Sequence, residues 1–267
     1  MIHIIVATYS EARPVILFYK LKRVITINEF HIFENQKLNI SLTISGIGNI
    51  MSGAATSFTY CEYQKVKNHI WINFGLAGTK KEKIGEIFLV NKVSDFDKKK
   101  KVYFPMFAQD FQLKKKECIS YHKKNDIYNF SLSDMESYGF FSVADKFASR
   151  EFIFLVKIIS DNEIESIDFF SKKDVFELIN QNMLKLAKLI IDIQQTFLSI
   201  NNHQLKVLTF LVDLKKKFRL SFNQELKIKK LLYICFSKNK LSSHYETILH
   251  CNDINDVIYE IERRIKN

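Results

Sequence analysis

Short unbroken apolar runs alternate with segments of helical period along the first 195 residues. The runs Ile2 to Ala7, Leu38 to Ser45, Ile70 to Phe74, Ile87 to Val93, Glu117 to Tyr121 and Phe152 to Ile159 predict strands. Between them, Glu11 to Leu21, Ile50 to Lys65, Met135 to Phe147 and Lys173 to Gln195 predict helices. Buried strands alternating with amphipathic helices predict an α/β domain over residues 1–195, with helices packed on a parallel or mixed sheet. Residues 196–267 contain no Gly and no Pro and predict a helical C-terminal extension. Its last helix carries Ile254, Val257, Ile258, Ile261 and Ile265 at helical spacing, with Asp253 or Asp256 as its cap. A second stripe is Leu226, Leu231, Leu232 and Cys235. These faces need a partner: the α/β domain, a second subunit or another protein.

Composition narrows the class. The 267 residues are 47% hydrophobic and 26% charged, which excludes a disordered chain, and with 7 Gly and 2 Pro a collagen-like repeat is excluded too. No apolar run reaches membrane-span length, and Met1 to Val6 reads as a first strand rather than a signal peptide, so a cytoplasmic protein is expected. Cys61, Cys118, Cys235 and Cys251 are widely spread, without zinc-ligand spacing, and buried thiols are expected in preference to disulfides. Seven scattered histidines support no metal site. The net charge of +11 invites a nucleic-acid reading, with lysine runs at Lys98 to Lys101, Lys114 to Lys116 and Lys215 to Lys217. No RNA-binding aromatic signature and no helix-turn-helix accompanies them, so solvated lysines are the expectation and a nucleic-acid partner is not. The tail carries +6 of that charge.

Candidate chemistry follows the glycines. Six of seven, Gly46, Gly48, Gly53, Gly75, Gly78 and Gly85, fall within 40 residues. In a glycine-poor chain this clustering suggests a site built from loops, or else ordinary turns between strands. Nearby lie three acids at turns and strand ends: Glu11 after the first strand, Glu136 in Asp134-Met135-Glu136-Ser137, and Asp161 in Ile159-Ser160-Asp161. Ligands of open α/β sheets bind at such carboxyl ends. Each acid alone also reads as a helix cap, Asp134 or Ser133 for the third helix and Ser160-Asp161 for the next turn.

Together, the first strand with Glu11, the turn Ser45-Gly46-Ile47-Gly48, the loop Asn73-Phe74-Gly75-Leu76-Ala77-Gly78 with Lys83-Ile84-Gly85-Glu86-Ile87, the Asp134-Met135-Glu136 helix start and Ile159-Ser160-Asp161 occur in one order. In that order they resemble the nucleoside phosphorylase and nucleosidase superfamily, especially methylthioadenosine/S-adenosylhomocysteine nucleosidases and futalosine-type hydrolases. The resemblance runs with gaps from Met1 to about Gln195. It implies a three-layer fold with a central mixed sheet and cleavage of a purine nucleoside, with a 5′-modified adenosine favoured. It also implies a homo-oligomer, with no metal or organic cofactor. Glu11 then matches the acid that orients the attacking water, Glu136 the one that binds the ribose hydroxyls, and Asp161 the one that assists N7 of the leaving purine. Met135 would pack on the sugar, Ser160 would lie in the site, and Gly75, Gly78 and Gly48 would let backbone approach the substrate. Tyr121 is the base-stacking candidate, with Phe130 and Phe104 as rivals. Lys157 stands where these nucleosidases carry Arg near the water, and Leu76 replaces their loop Ser. Asn73 and Leu76, where hexameric phosphorylases carry Arg and Ser, together with the missing G-D-P-x-R segment, favour water over phosphate as nucleophile. Phosphorylase chemistry using Arg13 or Lys157, and a degenerate binding protein acting through its basic tail, are the alternatives.

Overall fold

The five residues from Ile2 to Val6 are all buried, and the strand they form, β1, lies between two parallel neighbours, β4 (Ile40–Ile44) and β5 (Ile70–Gly78). A strand covered on both faces has no polar side to alternate with, hence the continuous apolar run. His3, the one polar residue in it, is satisfied by Ser41 Oγ at 2.6 Å from Nδ1 and by His69 Nδ1 at 2.7 Å from Nε2. In this computed structural model the described residues are 1–24, 30–64, 69–97, 101–124, 128–169, 171–237, 248 and 251–266. Lys65, Lys98 to Lys100, His244 and His250, which figure in the sequence reading, lie outside them.

The chain divides into two compact units, Met1–Ile191 and Asp192–Asn267. In the first, α1 (Tyr9–Phe18) follows β1, and β2 (Lys22–Arg23) with β3 (His31–Asn35) extends the sheet antiparallel to β4. Then come α2 (Asn49–Glu62), β5, β6 (Ile87–Asp95), β7 (Val102–Tyr103), β8 (Lys114–Ser120), β9 (Leu132–Asp134), α3 (Ser137–Ala144) and β10 (Ile153–Asp161). The sheet is mixed, as expected, and it also closes on itself. β5 pairs with β10, β10 with β6, β6 with β8, β8 with β9, and β9 returns to β5 through Gly78 and Ser133. Helices α2 and α3 pack on each other and on this sheet, over a core that includes Trp71, Phe88, Phe140, Phe141 and Leu155.

Several expected boundaries shift. The Asn73-to-Gly78 loop is strand, because parallel pairing with β10 continues from Trp71 to Gly78. The third helix begins at Ser137, two residues later than expected. β3, β7 and β9 escape the apolar-run criterion: β3 is only partly covered and the other two span two or three residues. The fourth expected helix continues as α4 (Lys172–Lys217), so the expected boundary at 195/196 falls inside it.

The second unit holds the rest of α4 with α5 (Phe222–Ser237) and α6 (Ile254–Lys266). Its apolar faces cover one another: Val207, Phe210, Leu211 and Leu214 of α4 meet Ile228, Leu232 and Cys235 of α5 and Val257, Ile258 and Ile261 of α6. Leu226, assigned to the α5 stripe, is instead exposed, and Ile228 takes the inward position. All four cysteines are free thiols; Cys118 and Cys235 are buried, but Cys61 is exposed. No helix among the described residues is long and apolar enough to cross a membrane.

Candidate active site

Thr8 begins α1 with a capping box: its Oγ1 accepts from Glu11 N at 3.3 Å, while Glu11 Oε2 accepts from Thr8 N and Thr8 Oγ1, each at 2.8 Å. Glu11 is thus held at the carboxyl end of β1, where its Oε1 accepts from the backbone N–H of Leu76 at 3.2 Å. Burial pushes its carboxyl above the usual range, partly offset by the Thr8 donors and the Lys157 charge.

Glu136 precedes α3. Its Oε1 accepts from Gly48 N at 2.8 Å, across from the start of α2. Gly48 has φ +105°, a conformation that L side chains rarely adopt, so the turn that aims this N–H requires glycine there. Burial, then the charge of Asp134, raises the Glu136 carboxyl to about 7, against the smaller effects of Lys157 and the Gly48 N–H.

Asp161 closes β10. Its Oδ1 accepts from Ser160 Oγ at 2.6 Å, and Ser160 Oγ also donates to Ala77 O at 3.3 Å. No helix follows at once, so Ser160 and Asp161 cap nothing here; the chain turns back through a single bridge to Ser166. Across the strand pair, a Cβ on Gly78 would stand 2.6 Å from Asp161 Oδ2, so only glycine leaves the carboxylate its place.

Behind these acids lies a buried ion pair. Lys157 Nζ is 2.7 Å from Asp134 Oδ2, with both side chains almost fully covered. Asp134 also accepts from Ser120 Oγ, Ser137 N and Ser137 Oγ. Burial alone would raise the Asp134 carboxyl, but the Lys157 ammonium and these donors outweigh it and hold it below the usual range. Conversely, burial would lower the Lys157 ammonium, and the charges of Asp134 and Glu136 raise it.

Glu11, Glu136 and Asp161 line one cavity of about 480 Å³, together with Leu76, Gly78, Tyr121, Met135 and Ser160. Gly48, Gly75 and Lys157 do not reach its wall; Gly48 and Lys157 act on it through Glu136 and Asp134. Tyr121 is buried, stacked on Phe96 with ring centres 4.6 Å apart, and its hydroxyl accepts from Asn129 Nδ2 at 3.1 Å. Its rivals Phe104 and Phe130 are exposed and line no part of the cavity. Sequence reasoning did not find Thr8, Ser10, Ile47, Lys123, Lys124, Phe169 and Val175 on the wall. Only Thr8 carried a signal, its place three residues before Glu11.

Outside the cavity, Asp95, Asp97 and His122 bring three ligand atoms within 4.8 Å of one another. Asp97 and His122 are exposed, and Asp95 Oδ1 already accepts from Asp97 N. Asp95 ends β6, Asp97 lies two residues on, and His122 follows β8, its Nε2 3.6 Å from Asp95 Oδ2 and 3.4 Å from Asp97 Oδ2.

No protein-family model matches this sequence, and no curated protein does. Solved structures do. The 5′-methylthioadenosine/S-adenosylhomocysteine nucleosidase of Campylobacter jejuni is 15% identical with a TM-score of 0.55, covering 73% of this chain and 98% of its own. The 5′-methylthioadenosine nucleosidase of Arabidopsis thaliana is 18% identical with a TM-score of 0.54, covering 72% and 95%. The futalosine hydrolase of Helicobacter pylori is 16% identical with a TM-score of 0.58, covering 72% and 97%. The chain therefore shares the fold of these two nucleosidases and this hydrolase, as the sequence motifs led one to expect.

Proposed function

We propose that this protein is a purine nucleosidase that hydrolyses the N-glycosidic bond, with a 5′-modified adenosine as the favoured type of substrate. One observation carries the reading: carboxylates from the first turn of α1, the start of α3 and the end of β10 converge on a single nucleoside-sized cavity. Asp161 donates to or protonates N7 of the purine, so the base leaves with its electron pair neutralised. Glu136 accepts from the ribose hydroxyls and stabilises the electron-poor sugar that develops as the bond breaks. Glu11, raised by burial, accepts a proton from the water that attacks the anomeric carbon.

Water is favoured over phosphate as nucleophile because neither Lys157 nor Arg13, the cations of the phosphorylase alternative, lines the cavity. Lys157 is paired with Asp134, and Arg13 lies 5.3 Å from the ring centre of Phe176. The test is base release from a panel of purine nucleosides in phosphate-free buffer. Free base and free ribose are expected, with Asp161→Asn slower by about 10²–10⁴-fold. Ribose 1-phosphate formed only with added phosphate would replace this reading with a phosphorylase, and an unimpaired Asp161→Asn would remove Asp161 from the chemistry.

A further inference from the structure

Lys123 and Lys124 line the same cavity as the carboxylates of Glu11, Asp134, Glu136 and Asp161. The hydrolytic reading uses the acids and leaves the lysines without a task. Lysine is abundant in this chain, and an exposed lysine is ordinarily just solvated. Two observations set this pair apart. The lysines of the neighbouring strands are matched with acids: Lys92 with Glu117 at 2.7 Å, Lys114 with Glu86 at 3.0 Å, Lys115 with Asp110 at 2.5 Å, and Lys116 with Glu82. Among the described residues, no carboxylate lies at ion-pair distance from Lys123 or Lys124. Moreover, Lys124 Nζ sits 5.0 Å from the ring centre of Phe169, itself a cavity residue. An ammonium over an aromatic face is held in place, here at the edge of the cavity.

The acids of the cavity do not answer these charges. Asp134 is matched by Lys157, and Glu11, Glu136 and Asp161 are hydrogen-bonded by Thr8, Gly48 and Ser160. In a bound nucleoside the base is engaged by Asp161, the ribose hydroxyls by Glu136 and the anomeric carbon by the water on Glu11. The C5′ substituent is the remaining handle. We propose that the substrate carries an anionic group, a phosphate or a carboxylate, on C5′, held by Lys123 and Lys124. The inference rests on the nucleosidase reading of this cavity. Two point-charge ammoniums accommodate either anion, since neither imposes the planar fork of an arginine.

The test compares kcat/KM for adenosine 5′-monophosphate and adenosine-5′-carboxylic acid with that for adenosine and 5′-methylthioadenosine, in phosphate-free buffer at low salt. A preference for the anionic nucleosides of about tenfold or more is expected, as is its fall by about tenfold in the Lys123→Gln/Lys124→Gln double variant and in about 0.5 M salt. Lys92→Gln, a paired surface lysine, keeps the wild-type preference. Whichever of the two anionic nucleosides is favoured identifies the anion. Equal cleavage of neutral and anionic nucleosides, or a preference that survives in the double variant, overturns the inference. So does base release that requires added inorganic phosphate, since the lysines would then serve free phosphate. If no nucleoside is cleaved, the nucleosidase reading fails, and calorimetric titration decides the lysines' role alone. Adenosine 5′-monophosphate binding tighter than adenosine, with the difference lost in the double variant, supports the anion site; equal binding overturns it.

Discussion

Replacing Gly78 by alanine tests the role of Asp161 without touching an ionisable group. The added Cβ would lie 2.6 Å from Asp161 Oδ2 and 3.2 Å from Tyr128 Cε1, where ordinary contact begins at 3.4 Å. Asp161 must therefore retreat by roughly 0.8 Å, the gap between those contact distances. It cannot simply rotate away freely, because Ser160 Oγ holds Oδ1 at 2.6 Å. A displacement near 1 Å at a reacting group costs about 10²-fold in rate, equivalent to about 2.7 kcal/mol of transition-state stabilisation. The expected result is a kcat/KM for base release about 10²-fold below wild type, with the loss mainly in kcat, since the acid acts as the base departs. The assay is chromatographic detection of free purine, with thermal unfolding alongside to confirm that the variant folds. A folded Gly78→Ala protein within twofold of wild type would refute the assignment of Asp161 to the leaving base.

The remaining expectations concern charge and packing. Glu136 titrates near 7 in the folded chain, above its ordinary value, so its contribution to stability is complete below about pH 4.5 and is lost as pH rises through about 7. Glu136→Gln should flatten the decline of unfolding free energy between those pH values, and an unchanged slope in denaturant titrations would show that Glu136 is not the group responsible. Lys157→Met leaves Asp134 buried without its counter-ion and should destabilise the first unit by about 3–5 kcal/mol in urea unfolding, with Asp134→Asn added in the same chain restoring part of it. Leu232→Ala hollows the core of the second unit and should cost about 2–5 kcal/mol in that unit's unfolding, while purine release stays at the wild-type rate.

The carboxyl end of β1 was legible because its apolar run needs no partner to be recognised, although the Thr8–Glu11 capping box just past it was not read. The α6 face was legible for the same reason: Val257, Ile258 and Ile261 recur at helical period, and neighbours along the chain are enough to specify it. The acids Glu11, Glu136 and Asp161 were found through short motifs whose order survives without knowledge of how the strands pair. What the tertiary structure alone decided depends on distant segments meeting. β5 runs on through Gly75 to Gly78 because β10, some eighty residues away, supplies the ladder that a glycine-containing segment would not keep by itself. The closure of the sheet turns on one pairing, Gly78 with Ser133. Lys157 is a buried counter-ion rather than a cavity residue because Asp134 lies against it, and nothing in the spacing of 23 positions announces that contact. Lys123 and Lys124 read as ordinary solvated lysines until the fold brings Phe169 and the acids to the same cavity. Local periodicity is written in adjacent residues, whereas the charge and shape of a cavity are sums over residues that only folding makes neighbours.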